Sequence, residues 1–200
     1  NPLTENTVVS EISGLKQAIN LEYLDIRGMN GITSLDLSNH SSFRVLKAYN
    51  TNITSVSLTK GAPVSILELP SSIRSLVLNQ LPILNTEGLI LEDIKNVQSI
   101  NISSCPNLSN DFSFIYNWYI NKIHSNSSCS FTMDNIRWDN VDTNEFLNFI
   151  GLKTGDNIFS LKGKINIPNA SIETIYAIRD TFGETVFFPN AELYIEVPPV

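Results

Sequence analysis

From Leu21 onward, apolar residues recur in the spacing L-x-x-L-x-L about every eleven residues. The copies read Leu21, Leu24, Ile26; Ile32, Leu35, Leu37; Phe43, Leu46, Ala48; Ile53, Val56, Leu58; Val64, Leu67, Leu69; and Ile73, Leu76, Leu78. Two more are centred on Leu89 and Leu91 and on Val97, Ile100 and Ile102. The x-L-x-L-x centre of each copy alternates with period two, which a helix of period 3.6 does not produce, so each copy predicts a short strand with one buried face. Turn formers separate them, at 28–31, 39–42, 49–52, 59–63, 71–72 and 103–107. Short strands with one apolar edge each cannot find separate cores. They must stack as the coils of a solenoid.

The units pair into longer repeats over 20–42, 43–64, 65–84 and 85–108. One strand of each pair would join a first parallel sheet, A, and the other a second, B, packed face to face. The outward positions of sheet A are then Tyr23, Asp25, Arg27; Val45, Lys47, Tyr49; Ile66, Glu68, Pro70; and Gly88, Ile90, Glu92. In register, Asp25, Lys47 and Glu68 form a ladder of alternating charge. Sheet B presents Ser34, Asp36, Ser38; Ser55, Ser57, Thr59; Ser75, Val77, Asn79; and Ser99, Asn101, Ser103, a small and nearly uncharged surface. Aromatic residues and arginine are enriched at binding patches and serine is depleted, so Tyr23, Asp25, Arg27, Lys47, Tyr49 and Glu68 are the candidate partner-binding residues. A charge ladder that only ties neighbouring strands together is the competing reading.

The stretch Leu-Glu-Tyr-Leu-Asp-Ile-Arg-Gly-Met-Asn-Gly-Ile at 21–32, followed by Thr-Ser-Leu-Asp-Leu-Ser-Asn at 33–39, resembles leucine-rich repeats of the short two-stranded type. Such repeats occur in gut Bacteroidales and in the crAss-like phages that infect them. The resemblance covers 20–108 and departs at one position. Where many relatives carry a buried Asn after the strand, this chain has Met29, Thr51, Ser72 and Ile94, so the bracing ladder is absent or displaced to Asn30 and Asn52. The resemblance implies a role in a large virion protein, tail-associated, or in a bacterial surface protein.

After Leu108 the spacing between strand-like segments lengthens to about thirty residues, which makes room for helices. Residues 111–123 read as a helix with Phe112, Ile115, Tyr116, Tyr119, Ile120 and Ile123 on its apolar stripe, and residues 131–133 as the next strand. Asp142 heads a second helix with Glu145 three residues on, and Phe146, Leu147, Phe149 and Ile150 supply its buried side. A strand over 164–167, a helix over 171–183 and a strand over 193–197 complete the chain. The expected architecture is thus an α/β leucine-rich-repeat solenoid of stacked parallel strands, mostly β in its first half, with strand-helix repeats capping the second. Its divisions are a lead-in over 1–19, short repeats over 20–108 and longer β-α repeats with a cap over 109–200, without a linker.

Composition narrows the partners. With 13 Lys and Arg against 20 Asp and Glu among 200 residues, the net charge of −7 argues against nucleic acid and anionic membranes. No apolar run is long enough to span a bilayer, and the Asn-Pro-Leu-Thr start reads as a fragment. Cys105 and Cys129 read as two reduced thiols, with a single bridge as the alternative. His40 and His124 read as ordinary surface residues, since neither has an acid and a nucleophile in a recognisable motif. The acidic group Asp134, Asp139, Asp142 and Glu145 lacks the spacing of a calcium loop, so capping explains Asp142 and Glu145 better than metal binding does. Trp118 and Tyr116 read as a core stripe, and Trp138, beside Arg137 in a turn region, as the exposed aromatic. No glycine motif for phosphate is present. The expectation is a non-enzymatic interaction module without metal or cofactor, binding protein neighbours in an assembly or a cell-surface protein or glycan, on a virion or at the bacterial surface.

Overall fold

The computed structural model describes residues 10–93, 96–118, 130–138, 141–151, 158–166, 171 and 193–196. Apart from Ser171, the expected helix over 171–183 lies outside them, as do the positions of Ile94, Tyr119, Ile120, Ile123, His124, Cys129 and Asp139.

The period-two segments form strands that alternate between two parallel sheets. Sheet A consists of β1 (Tyr23–Asp25), β3 (Val45–Lys47), β5 (Ile66–Leu69) and β7 (Leu89–Leu91), in that order. Sheet B runs through β2 (Ser34–Leu37), β4 (Ser55–Leu58), β6 (Ser75–Asn79), β8 (Ser99–Ser103), β9 (Ser130–Trp138), β10 (Ile158–Asn166) and β11 (Leu193–Glu196). This is a β-solenoid of about four two-strand turns, extended on the sheet B side. Register keeps like with like: Leu24, Leu46, Leu67 and Leu89 stack in sheet A, and Leu78, Ile102 and Met133 in sheet B. Nearly all these side chains are fully buried, each worth about 1.5–3 kcal/mol.

The corners repeat as faithfully as the strands. Gly28 and Asn50 turn the chain after sheet A strands with φ of 77° and 53°, and Gly61, Gln80 and Ser104 do so after sheet B strands with φ of 78°, 53° and 55°. Backbone hydrogen bonds link them coil to coil, from Gly28 N to the Tyr49 carbonyl at 3.0 Å and from Gln80 N to the Ser103 carbonyl at 2.8 Å. Side chains also reach from corner to corner. The Asn52 side chain donates to the Asn30 carbonyl at 2.6 Å and Asn96 to that of Ser71 at 3.0 Å, while the Ser72 hydroxyl reaches the Ile53 carbonyl at 2.7 Å.

Beyond β7 the described residues hold no further strand of sheet A, and helices lie between the strands of sheet B. These are α1 (Pro106–Ser109), packed on β9, α2 (Phe112–Trp118) and α3 (Thr143–Gly151). A helix is about 10 Å across and stands its partner sheet further off than a strand does. The core answers with larger side chains: Phe112 lies 4.9 Å from Trp138 and 5.8 Å from Phe149, ring centre to ring centre. Carboxylates start both longer helices. Asp111 accepts from Phe114 N at 2.9 Å, and Asp142 accepts from Asn144 N and Glu145 N at 2.9 and 3.0 Å. Phe112, Ile115 and Trp118 of α2 are buried, as their spacing predicts.

Several expectations are corrected. β9 extends five residues past Met133, and β10 begins at Ile158, well before Lys164. Trp138 is not exposed but wholly buried at the end of β9. The cause is a bulge: Met133 pairs with Leu161 but Ile136 with Gly163, so Asp134 and Asn135 oppose one residue, with Asn135 at φ 59°. The extra residue reverses the alternation, turning Ile136 and Trp138 inward and Arg137 outward. His40 is likewise buried. Its Nε2 lies 2.9 Å from the Leu15 carbonyl and its backbone N–H donates to the Thr59 hydroxyl at 3.0 Å, so the ring ties the lead-in to the corner after β2. Pro70 and Gly88, expected on the outer face of sheet A, are buried too; Gly88 sits so close to the Ser65 carbonyl that no Cβ fits between them.

Candidate interaction face on sheet A

Three rows cross the outer face of sheet A, set by the strand register. The first pairs Tyr23, Val45 and Ile66; the second pairs Asp25, Lys47, Glu68 and Ile90. Beyond the strand ends, Arg27, Tyr49 and Glu92 continue the coils. The parallel pairing places Tyr23, Asp25, Lys47 and Glu68 on one face, with Arg27 joined to it through Asp25, and sets Asp25, Lys47 and Glu68 in one row.

Its charges are engaged with one another. Arg27 Nε lies 2.9 Å from Asp25 Oδ1 and its terminal nitrogen 2.7 Å from Oδ2, a two-pronged contact that fixes the guanidinium beside the sheet. These hydrogen bonds hold the Asp25 carboxyl down at about 2 against an ordinary 3.8, and the same pairing raises Arg27. Lys47 Nζ sits 3.9 Å from Glu68 Oε1, between the two acids of its row. Tyr49 is half-buried; burial pushes its hydroxyl up, and Glu68 and Glu92 add to that. Glu92 also accepts from Ser71 N at 3.2 Å.

Of the residues beside the charged row, Tyr23 is among the six candidates, whereas Val45, Ile66 and Ile90 are not. Val45 and Ile66 are half-buried, Tyr23 is 51 % exposed at the sheet edge, and Ile90 closes the charged row with an exposed apolar side chain. Together they form an apolar band beside an internally compensated ion row. Val45, Ile66 and Ile90 hold outward positions of the same repeat, but the enrichment of aromatic residues and arginine at binding patches does not select aliphatic side chains. Such an arrangement suits the burial of a low-charge surface.

Among the described residues, no three His, Cys, Asp or Glu side chains gather as a metal ion requires, and no helix is long and apolar enough to cross a membrane. No family model matches the chain, and no curated protein or solved structure is significantly similar to it.

Proposed function

We propose that the chain is a non-enzymatic interaction module of leucine-rich-repeat type, a segment of a larger phage virion protein, tail-associated, or of a bacterial surface protein, and that it serves assembly. The observation that carries this reading is the outer face of sheet A, where Tyr23, Val45, Ile66 and Ile90 border charges already paired among themselves. Burying such a face removes apolar area from water without stranding an ion, the balance that interface centres favour.

Size favours assembly over recognition of a free partner. Four strands about 4.8 Å apart, with about 13 Å of strand each, offer roughly 250 Å². A standard interface buries about 800 Å² per partner, so this face holds a neighbour best when both belong to one tethered structure. Photo-cross-linkers placed at Tyr23 and Ile90 of the full-length protein in its natural host should capture a protein neighbour, while one at Ser34 on sheet B should not. Capture from Ser34 alone would sink the proposal. A second reading, adhesion to a surface protein or glycan, draws on the exposed ring of Tyr23. It requires Tyr23→Ala, Arg27→Ala or Tyr49→Ala to weaken cell attachment while the fold persists.

A further inference from the structure

Within sheet B the pairing of β4 with β6 is the shortest among the described strands. β2 pairs with β4 from Ser34–Ser55 through Leu37–Leu58, and β6 with β8 from Ser75–Ser99 through Asn79–Ser103. Between β4 and β6 the pairing is limited to Ser55 and Ser75. The chains meet again past the strands, where Gly61 N donates to the Gln80 carbonyl at 2.8 Å. The strands thus part and rejoin. The core registers the gap: inward residues Val56 and Leu58 of β4 are only half-buried, whereas Leu35, Leu37, Leu76 and Leu78 on either side are buried.

The opening is a cleft of about 250 Å³ on the outer face. Its walls carry the hydroxyls of Ser55, Ser57 and Ser75 and the amide of Asn79; Val77, 40 % exposed, forms an apolar shelf, and Lys60 stands at the rim. Lys60 has no ion pair among the described residues.

We propose that this cleft binds one acidic sugar residue, a hexuronate or similar carboxylated pyranose. The volume falls below the roughly 300–1,000 Å³ of drug-sized sites and suits a single ring. The hydroxyls of the paired Ser55 and Ser75, about 4.8 Å apart, and that of Ser57, about 7 Å along β4, are spaced to meet the hydroxyls around a pyranose. Its C–H face would lie on Val77. A single ammonium group matches one carboxylate, whereas a phosphate calls for several cations or a cluster of backbone N–H groups. The site lies on sheet B and stands independently of the function assigned to sheet A.

An amide NMR titration with sodium galacturonate, sodium glucuronate, glucose and acetate tests it. The expected result is saturable shifts at Ser57, Val77 and Asn79 with either uronate at about millimolar Kd, and much weaker effects from glucose and acetate. Lys60→Gln should weaken uronate binding about fivefold, the scale of an exposed ion pair. Val77→Glu should abolish it. Both positions are exposed, and retained spectral dispersion verifies the fold of each variant. Absence of saturable shifts at tens of millimolar, equal binding of glucose or acetate, or an unchanged Lys60→Gln titration would each overturn the proposal.

Discussion

The indole nitrogen of Trp138 donates to the carbonyl oxygen of Ser109 across 2.8 Å, joining the end of β9 to the end of α1. This bond exists because the bulge at Asn135 turns Trp138 inward, onto Phe112 and Phe149. Trp138→Phe keeps most of the ring but leaves the Ser109 carbonyl without its donor, at an expected cost of about 1–3 kcal/mol. Trp138→Ala should cost about 3–5 kcal/mol. Urea unfolding followed by circular dichroism measures both; equal stability of Trp138→Phe and wild type would show that the hydrogen bond contributes nothing.

Gly88 and Gly28 are required for different reasons, and substitution separates them. At Gly88 an added methyl meets the Ser65 backbone, so Gly88→Ala should cost about 2 kcal/mol or more through displacement of β5 against β7. At Gly28 there is open space but φ is 77°, so Gly28→Ala should cost about 1–2 kcal/mol through backbone strain alone. Gly28→Asn should cost less, because Asn50 already holds the equivalent corner of the next coil. Chemical denaturation of the three variants checks the ordering.

The Asp25 carboxyl should titrate near 2 in a carbon-detected NMR experiment, and Arg27→Gln should return its midpoint toward 3.8. A carboxyl held low in the folded chain stabilises it above the unfolded value, and that contribution is lost as pH falls from about 4 through about 2. Acid unfolding of Asp25→Asn should lack this component. The group is solvent-exposed, so added salt should shrink the difference.

The thiol of Cys105 is buried, donates toward the Leu78 carbonyl at 3.3 Å, and is raised by burial, all of which oppose thiolate formation. In a Cys129→Ser background, a disulfide reagent should leave Cys105 unmodified in the folded protein and titrate it fully in denaturant. Rapid labelling without denaturant would contradict the packing of that corner.

The first half of the fold was legible because nearly constant coil lengths keep each apolar pair above the last, so one pattern announces strand, register and outward row together. Asp25, Lys47 and Glu68 could be aligned on that basis alone. Trp138 could not, since one inserted residue reverses every side chain after it, and nothing in Asp134-Asn135 distinguishes a bulge from a turn. His40 was misread because its partner, the Leu15 carbonyl, comes from the lead-in, which the repeat pattern does not describe. The outward Val45 and Ile66 were visible as positions but not as a surface. The cleft between β4 and β6 leaves no mark in the sequence, as it arises from the parting of two strands whose residues follow the same pattern as their neighbours.

The near-identical spacing of the short coils has an evolutionary corollary. Each coil brings one strand to both walls and one matching set of corners, so duplicating or deleting a whole coil within the first half would change the length of the stack while preserving every alignment across it. The junction where helices replace sheet A tolerates no such edit, because its aromatic packing has a single counterpart on each side. Variation in length should therefore accumulate upstream of β7, with the junction carried along unchanged while the stack before it lengthens or shortens one coil at a time.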